Sequence, residues 1–220
     1  MAAGLPVAAN GDRSAGVPVA PTSVVFDVGN VLVDWNPRAF FARHIADAAT
    51  LDRFLGEVAT LEWHTQHDAG RDFADTSAEL IALYPEHADH IRLWGERFDQ
   101  TIGDLLPGMA DLVSDLATAS VPLYAITNFS HEFWPPFHRR EAALFAPFRD
   151  ILVSGVEKMA KPDPAIFALA RTRFGLAAGE GLFVDDREEN VIAGEAAGFV
   201  GHVFVDAPTL RAAITGYGLL

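Results

Sequence analysis

Four apolar stretches of this chain lead into polar residues able to do chemistry. The run Val24-Val25-Phe26 ends on Asp27, and a Gly29-Asn30 turn follows at once. The run Leu123-Tyr124-Ala125-Ile126 ends on Thr127-Asn128. Lys161 stands in Lys158-Met159-Ala160-Lys161-Pro162-Asp163-Pro164, downstream of an apolar stretch over 151–154. The run Leu182-Phe183-Val184 ends on Asp185-Asp186. A short apolar run bounded by turn residues reads as a buried strand. Open α/β sheets hold their ligands beyond the carboxyl ends of such strands. If the four strands are parallel, a lone carboxylate, a hydroxyl, an amine and a carboxylate pair meet along one edge.

That set is suited to phosphoryl transfer. Two or three carboxylates plus a carbonyl make a hard-oxygen site of the kind Mg²⁺ prefers. A bound cation would offset the repulsion between Asp27 and an incoming phosphate. Asp27 could then attack phosphorus and carry an aspartyl-phosphate. Thr127 and the Asn128 N–H would bind phosphoryl oxygens, and Lys161 would neutralise charge that moves during transfer. Asp163-Pro164 supplies a cap and a first turn, so the helix after Lys161 starts at a fixed place.

The elements around these residues fall into three parts. Residues 1–21 are rich in Ala, Gly, Pro and Val without periodicity and read as a flexible tail. A strand is expected over 23–28. From 36 to 102 there is almost no strand signal. Asn36-Pro37 is a helix start, and apolar residues recur at helical spacing (Phe40, Phe41 and Ile45; Leu51, Phe54, Leu55 and Val58; Ile91, Trp94 and Phe98). Four or five helices are expected there. After Pro107-Gly108 the pattern alternates: helix 109–119, strand 121–126, an irregular segment, strand 151–154, helix 164–174, strand 182–184, helix 189–197, strand 201–205 and a last helix from about 208. Alternation of this kind predicts an α/β fold, a Rossmann-like parallel sheet with helices on both faces. The first strand must join that sheet, so the helical block is an insertion. The expected division is a core of 22–35 and 103–220 and a helical insertion over 36–102.

Composition narrows the partners. The formal net charge of −14 repels phosphate backbones, which argues against nucleic acid. No run of eighteen apolar residues is present to form a membrane-spanning helix. The chain has no cysteine, which excludes disulfides, thiolate metal sites and cysteine nucleophiles. No basic stretch followed by an apolar block opens the chain, so a cytoplasmic location is expected.

In their order, the four stretches resemble the motifs of the haloacid dehalogenase-like hydrolase superfamily. The resemblance covers roughly 23–35 and 105–206. It rests on Phe26-Asp27-Val28-Gly29-Asn30-Val31-Leu32, Ile126-Thr127-Asn128, Lys161-Pro162, and Val184-Asp185-Asp186 with Asn190 further on. It implies that Asp27 is the nucleophile and a ligand to Mg²⁺. It implies further that the carbonyl of Gly29 is a second ligand and Asp186 the direct acidic ligand, with Asp185 beside it or acting through water. The turn at Gly29 and Asn30 would lie against the substrate. The helical insertion corresponds to the family's small cap. Asp27-Val28-Gly29-Asn30-Val31-Leu32 looks most like the branch of sugar-1-phosphate phosphatases and of the phosphatase domain of soluble epoxide hydrolases. Trp63, Asp68-Ala69-Gly70 and Phe133-Trp134-Pro135 are similar to it as well. The implied activity is Mg²⁺-dependent hydrolysis of a small phosphorylated metabolite, such as a sugar phosphate.

One position departs from the pattern. Most phosphatases of the superfamily carry an aspartate two residues after the nucleophile, as acid and base; this chain has Gly29. The resemblance therefore leaves three expectations: slow turnover, a leaving group that needs little protonation, or a substitute group from the cap, with His64, His67 and Asp68 as candidates. His64 and His67, three apart, otherwise read as a solvated helix face. Trp63, Trp94 and Trp134 read as packing residues. A 2-haloacid dehalogenase would share the nucleophile and need no metal, but Asp185-Asp186 and Gly29-Asn30 both argue against it. A weakly active relative that binds a phosphorylated ligand is the remaining alternative.

Overall fold

The computed structural model describes residues 20–220. The expected tail over 1–21 therefore lies, but for its last two residues, outside the described residues. Pro21 is already buried.

The centre of the sheet is β1 (Ser23–Phe26), every residue of which is buried. Two short strands, β2 (Val33–Trp35) and β3 (Ile102–Leu105), pair antiparallel as a separate ribbon. Between them lie the helices α1 (Pro37–Phe41), α2 (Ala48–Arg53), α3 (Leu61–Asp68), α4 (Phe73–Leu83) and α5 (Ala88–Glu96). The alternating part follows with α6 (Met109–Thr118), β4 (Leu123–Thr127), α7 (Trp134–Arg140), α8 (Ala142–Phe145), β5 (Phe148–Val153), α9 (Ser154–Glu157) and α10 (Pro164–Phe174). It ends with β6 (Gly181–Asp185), α11 (Glu188–Ala196), β7 (Val200–Val203) and α12 (Ala207–Gly216).

The expected parallel α/β sheet is present, in the order β5-β4-β1-β6-β7. The chain builds from β1 outward to β5, then crosses back to place β6 on the other side of β1. The order reverses between β1 and β6, and ligands of such sheets sit at that point. Register sets the heights. Phe26 pairs with Ala125 on one side and Val184 on the other. Asp27 thus stands level with Ile126 and Asp185, and its N–H donates to the Val184 carbonyl at 2.8 Å.

Both faces of the sheet are covered. Val24 and Phe26 enter one core cluster and Val25 the other, as period-two alternation requires. The larger cluster runs on into the helical segment through Phe41, Phe54, Trp63 and Trp94. The expected irregular stretch before β5 holds α7 and α8, and β5 begins at Phe148 rather than at 151. The β2–β3 ribbon has no counterpart among the expected elements.

Candidate active site

Lys161 is the hub of the sheet edge. Its side chain is fully buried, and its Nζ lies 2.8 Å from Asp27 Oδ1 and 2.7 Å from Asp185 Oδ2. It also donates to the Ile126 carbonyl at 2.8 Å. An ammonium has three protons, and here each has an acceptor. Burial alone would lower the Lys161 pKa; Asp185 and then Asp27 more than offset this and raise it. One ammonium does not balance two carboxylates, however. Burial pushes the Asp27 carboxyl up to about 7, with Lys161 pulling it down and Asp185 pushing it up.

The tandem acids differ in how they are engaged. Asp185 is fully buried and saturated. Beside Lys161, its Oδ1 accepts from the Arg187 N–H at 2.9 Å and from Asn190 Nδ2 at 3.0 Å. Asp186 is half-buried, and burial followed by the charge of Asp185 raises its pKa. Carboxylate oxygens of Asp27, Asp185 and Asp186 lie within 4.8 Å of one another. Three hard-oxygen donors facing one amine leave excess negative charge at this edge. That donor set fits a divalent cation such as Mg²⁺.

The other expected site residues divide between the cavity and its frame. Thr127 ends β4, is buried, and is not among the cavity's lining residues. The Asn128 side chain donates to the Lys161 carbonyl at 2.9 Å and accepts from the Lys161 N–H at 2.8 Å. Its amide group therefore frames the lysine. Gly29 and Asn30 form the turn after Asp27. Asn30 takes a left-handed φ of 56°, and its Oδ1 accepts from the Trp35 N–H at 3.0 Å, which ties the turn to β2.

These elements enclose a cleft of about 730 Å³, open mouth included. Asp27, Gly29, Lys161 and Asp186 form its floor, and residues of the helical segment and the β2–β3 ribbon complete its wall. Much of that wall is apolar: Val33, Trp35, Leu61, Phe98, Ile102 and Phe129. Some of its polar members are engaged with the protein, while His64 Nδ1, Asp68 Oδ1 and Asn190 Oδ1 have no partner among the described residues. Asn30 and Asn128 are bonded as above, Asn190 holds Asp185, and Thr65 donates to the Glu62 carbonyl at 2.8 Å.

His64 and His67 are not the solvated face that spacing predicts. Both are buried. His64 stacks on Trp35 and Phe98 with ring centroids 5.0 and 5.6 Å apart, and His67 Nε2 lies 2.6 Å from Thr76 Oγ1. Burial lowers the His64 pKa to about 4 and, together with the charges of His64 and Arg71, that of His67 to about 3. Both imidazoles are neutral at physiological pH. His64 and Asp68 line the cleft, whereas His67 does not. Trp63 and Trp94 pack as expected, 5.5 Å apart edge to face. The tryptophan that reaches the cleft is Trp35, which sequence reasoning did not single out. The three residues Val33-Asp34-Trp35 are too short a run for alternation to signal it.

Comparison with known proteins agrees with this architecture. A family model described as haloacid dehalogenase-like hydrolase matches residues 22–198. A sesquiterpene phosphatase (astK) of Aspergillus oryzae is 31% identical over 193 residues, covering 84% of this chain and 90% of that protein. Phosphoglycolate phosphatase 1 of Pseudomonas aeruginosa is 28% identical, over 81% of this chain and 67% of that protein. Among solved structures, a HAD family enzyme of Bacteroides thetaiotaomicron in complex with magnesium and inorganic phosphate superposes with a TM-score of 0.63 at 17% identity, over 84% and 95% of the two chains. A dehalogenase with an intermediate complex superposes at 0.61 and 18% identity, over 82% and 83%. Structural likeness at this identity speaks for the fold alone, but the family match spans most of the chain, which therefore belongs to the haloacid dehalogenase-like hydrolases.

Proposed function

We propose that this protein is a Mg²⁺-dependent phosphomonoesterase that uses Asp27 as its nucleophile. The observation that carries this reading is the Asp27–Lys161–Asp185 arrangement at the switch point, with Asp186 beside it. The similarity to two phosphatases supports it. An Asp27 carboxylate oxygen bonds to phosphorus as the ester P–O bond breaks, and water then releases phosphate and restores the carboxylate. Lys161 holds Asp27 in place and offsets charge in the buried site. Asp27, Asp186 and the Gly29 carbonyl are the groups that would hold Mg²⁺. The ion, when bound, supplies positive charge against the phosphate. Asp185, with both oxygens engaged, positions Lys161. The Asn128 N–H is the proposed phosphoryl contact, whereas Thr127, buried at the end of β4 and off the cleft lining, would act only as its support. The helical segment 36–102 would act as the cap.

The walls of the cleft favour one substrate class. A sugar phosphate needs partners for many hydroxyls, and Asn30, Asn128 and Thr65 on the wall are already bonded within the protein. A phosphate monoester with an apolar organic group fits the six apolar residues better. The sesquiterpene phosphatase relative is consistent with that class.

A panel of alkyl, terpenyl and sugar phosphates, with Mg²⁺ or EDTA, tests the reading beside Asp27→Asn. Phosphate release should need Mg²⁺, disappear in the variant and be fastest on the apolar esters. Chloride release from 2-chloropropionate that survives EDTA, without phosphatase activity, would replace this reading by the dehalogenase one.

A further inference from the structure

We propose that the Asp68 carboxyl is the proton donor and acceptor of this reaction, reaching the leaving oxygen from the helical segment where Gly29 offers no side chain. This rests on the phosphatase reading above.

Three observations carry it. First, Asp68 lines the same cleft as Asp27, Lys161 and Gly29. It is the last residue of α3, and only 5% of it is exposed.

Second, the carboxyl is not held by a structural partner. Its Oδ1 has no hydrogen-bond partner among the described residues. Its Oδ2 lies 3.7 Å from His64 Nε2, outside hydrogen-bonding distance, and that imidazole is neutral. An unpaired buried carboxyl costs stability, and such groups concentrate where a site uses them. Burial raises the Asp68 pKa to about 7, against a lowering effect of Lys161, so both protonation states are accessible near neutral pH.

Third, the chain fixes where Asp68 stands. Gly70, two residues on, adopts a φ of +90° that a side chain rarely takes, and a Cβ there would come within 2.9 Å of the Gly155 carbonyl. The end of α3 is thereby seated against α9, next to the sheet edge. At Gly29, by contrast, an added Cβ meets only Trp35 Cβ at 3.9 Å. The turn has room for a side chain, so backbone crowding does not account for the missing acid.

The protons balance. As the Asp27 oxygen attacks phosphorus and the ester P–O bond breaks, Asp68 gives its proton to the departing oxygen. The products are an alcohol, the aspartyl-phosphate and an ionised Asp68. Asp68 then takes a proton from water as the water oxygen attacks phosphorus and the Asp27–phosphorus bond breaks. Phosphate leaves, and both carboxyls return to their first states.

The test compares Asp68→Asn on two esters in Mg²⁺ buffer. Hexyl phosphate has a basic leaving oxygen; p-nitrophenyl phosphate has one that departs without a proton. For hexyl phosphate kcat/KM should fall by about 10² to 10⁴, the range general acid help supplies. For p-nitrophenyl phosphate the first turnover should stay within a few-fold of wild type. It should appear as a burst of nitrophenol before slow steady-state hydrolysis, because the second step still lacks its base. Adding Gly29→Asp to Asp68→Asn should restore at least tenfold of the lost hexyl phosphatase activity, which an unfolded variant could not do. Equal losses on both esters without a burst, or wild-type activity on hexyl phosphate, would overturn the role of Asp68. A wild-type protein that releases phosphate from neither ester would instead overturn the phosphatase reading, and this inference with it.

Discussion

The side chain of Asn128 and the main chain of Lys161 hold one another by a reciprocal pair of hydrogen bonds, at 2.9 and 2.8 Å, across 33 residues of sequence. The pair fixes the loop from which the lysine reaches Asp27 and Asp185. Asn128→Ala removes both bonds and leaves the lysine's main-chain groups short of partners. A loss of about 1–3 kcal/mol in urea denaturation is expected, together with a fall in kcat as Nζ leaves its three acceptors. Stability within about 0.5 kcal/mol of wild type would show that the clamp does not hold the loop.

Lys161→Met tests the charge balance of the edge. The methionine keeps the bulk and removes the cation shared by Asp27 and Asp185. Breaking a buried pair from one side costs about 3–5 kcal/mol, because the remaining charge is uncompensated. With the ammonium gone, the folded Asp27 pKa, already about 7, moves higher still. The unfolded carboxyl titrates near 4. The variant's stability should therefore decline from about pH 4 up to and beyond pH 7. Denaturation midpoints at pH 5 and pH 8 check this: the deficit relative to wild type should be larger at pH 8.

The parts of this architecture legible in the sequence are those where one local rule suffices. Strands β1, β4 and β6 are buried throughout, so each reads as an unbroken apolar run, and the acid or amide after it is visible without a fold. The β2–β3 ribbon is three and four residues long and half-exposed, below what alternation can signal. Helix α7 reads as irregular because of Pro135-Pro136, yet these prolines fall in its first turn, where a missing N–H is harmless. At the site, Asp27, Lys161 and the tandem acids were legible from strand ends and order. The burial of His64 and His67 was not. Helix α3 is polar in composition, and its burial comes from Trp35, Phe98 and Phe73 on other elements. Asn128 was legible as a polar residue at a strand end, but the partner of its side chain depends on how the 161 loop returns to the sheet.

Leu61 offers a clean test of the substrate class. It lines the mouth of the cleft while half exposed, so its side chain contributes little to the core. Leu61→Ser should leave stability within about 0.5 kcal/mol. Covering a leucine side chain with an apolar ligand is worth about 1.5–3 kcal/mol when complete. KM for a long-chain alkyl phosphate should therefore rise several-fold, with little change for a two-carbon ester. An equal effect on both esters would mean that the apolar group does not lie along this wall.

Asp68 should also leave a mark on stability, with a sign set by burial. Its folded pKa of about 7 lies above the ordinary carboxylate value of 3.8. Between those values the folded state keeps a proton that the unfolded state has lost, so this group's contribution falls as pH rises from about 4 to 7 and is flat beyond. Asparagine does not titrate. The stability of Asp68→Asn relative to wild type should start near zero at pH 4 and grow to about 4 kcal/mol at pH 8, at 1.36 kcal/mol per pH unit. His64 acts in the opposite direction: with a folded pKa near 4 it withdraws stability as pH falls below 6.5. That contribution is present in both proteins and cancels in the difference. Paired urea titrations at pH 4, 6 and 8 measure the quantity directly. A difference that does not change with pH would mean that Asp68 is ionised throughout and held by a cation, and would remove the protonated carboxyl from the cleft. A difference that grows as described, joined to the loss of alkyl phosphatase activity, would show one buried carboxyl lowering stability near neutral pH while carrying protons for the reaction.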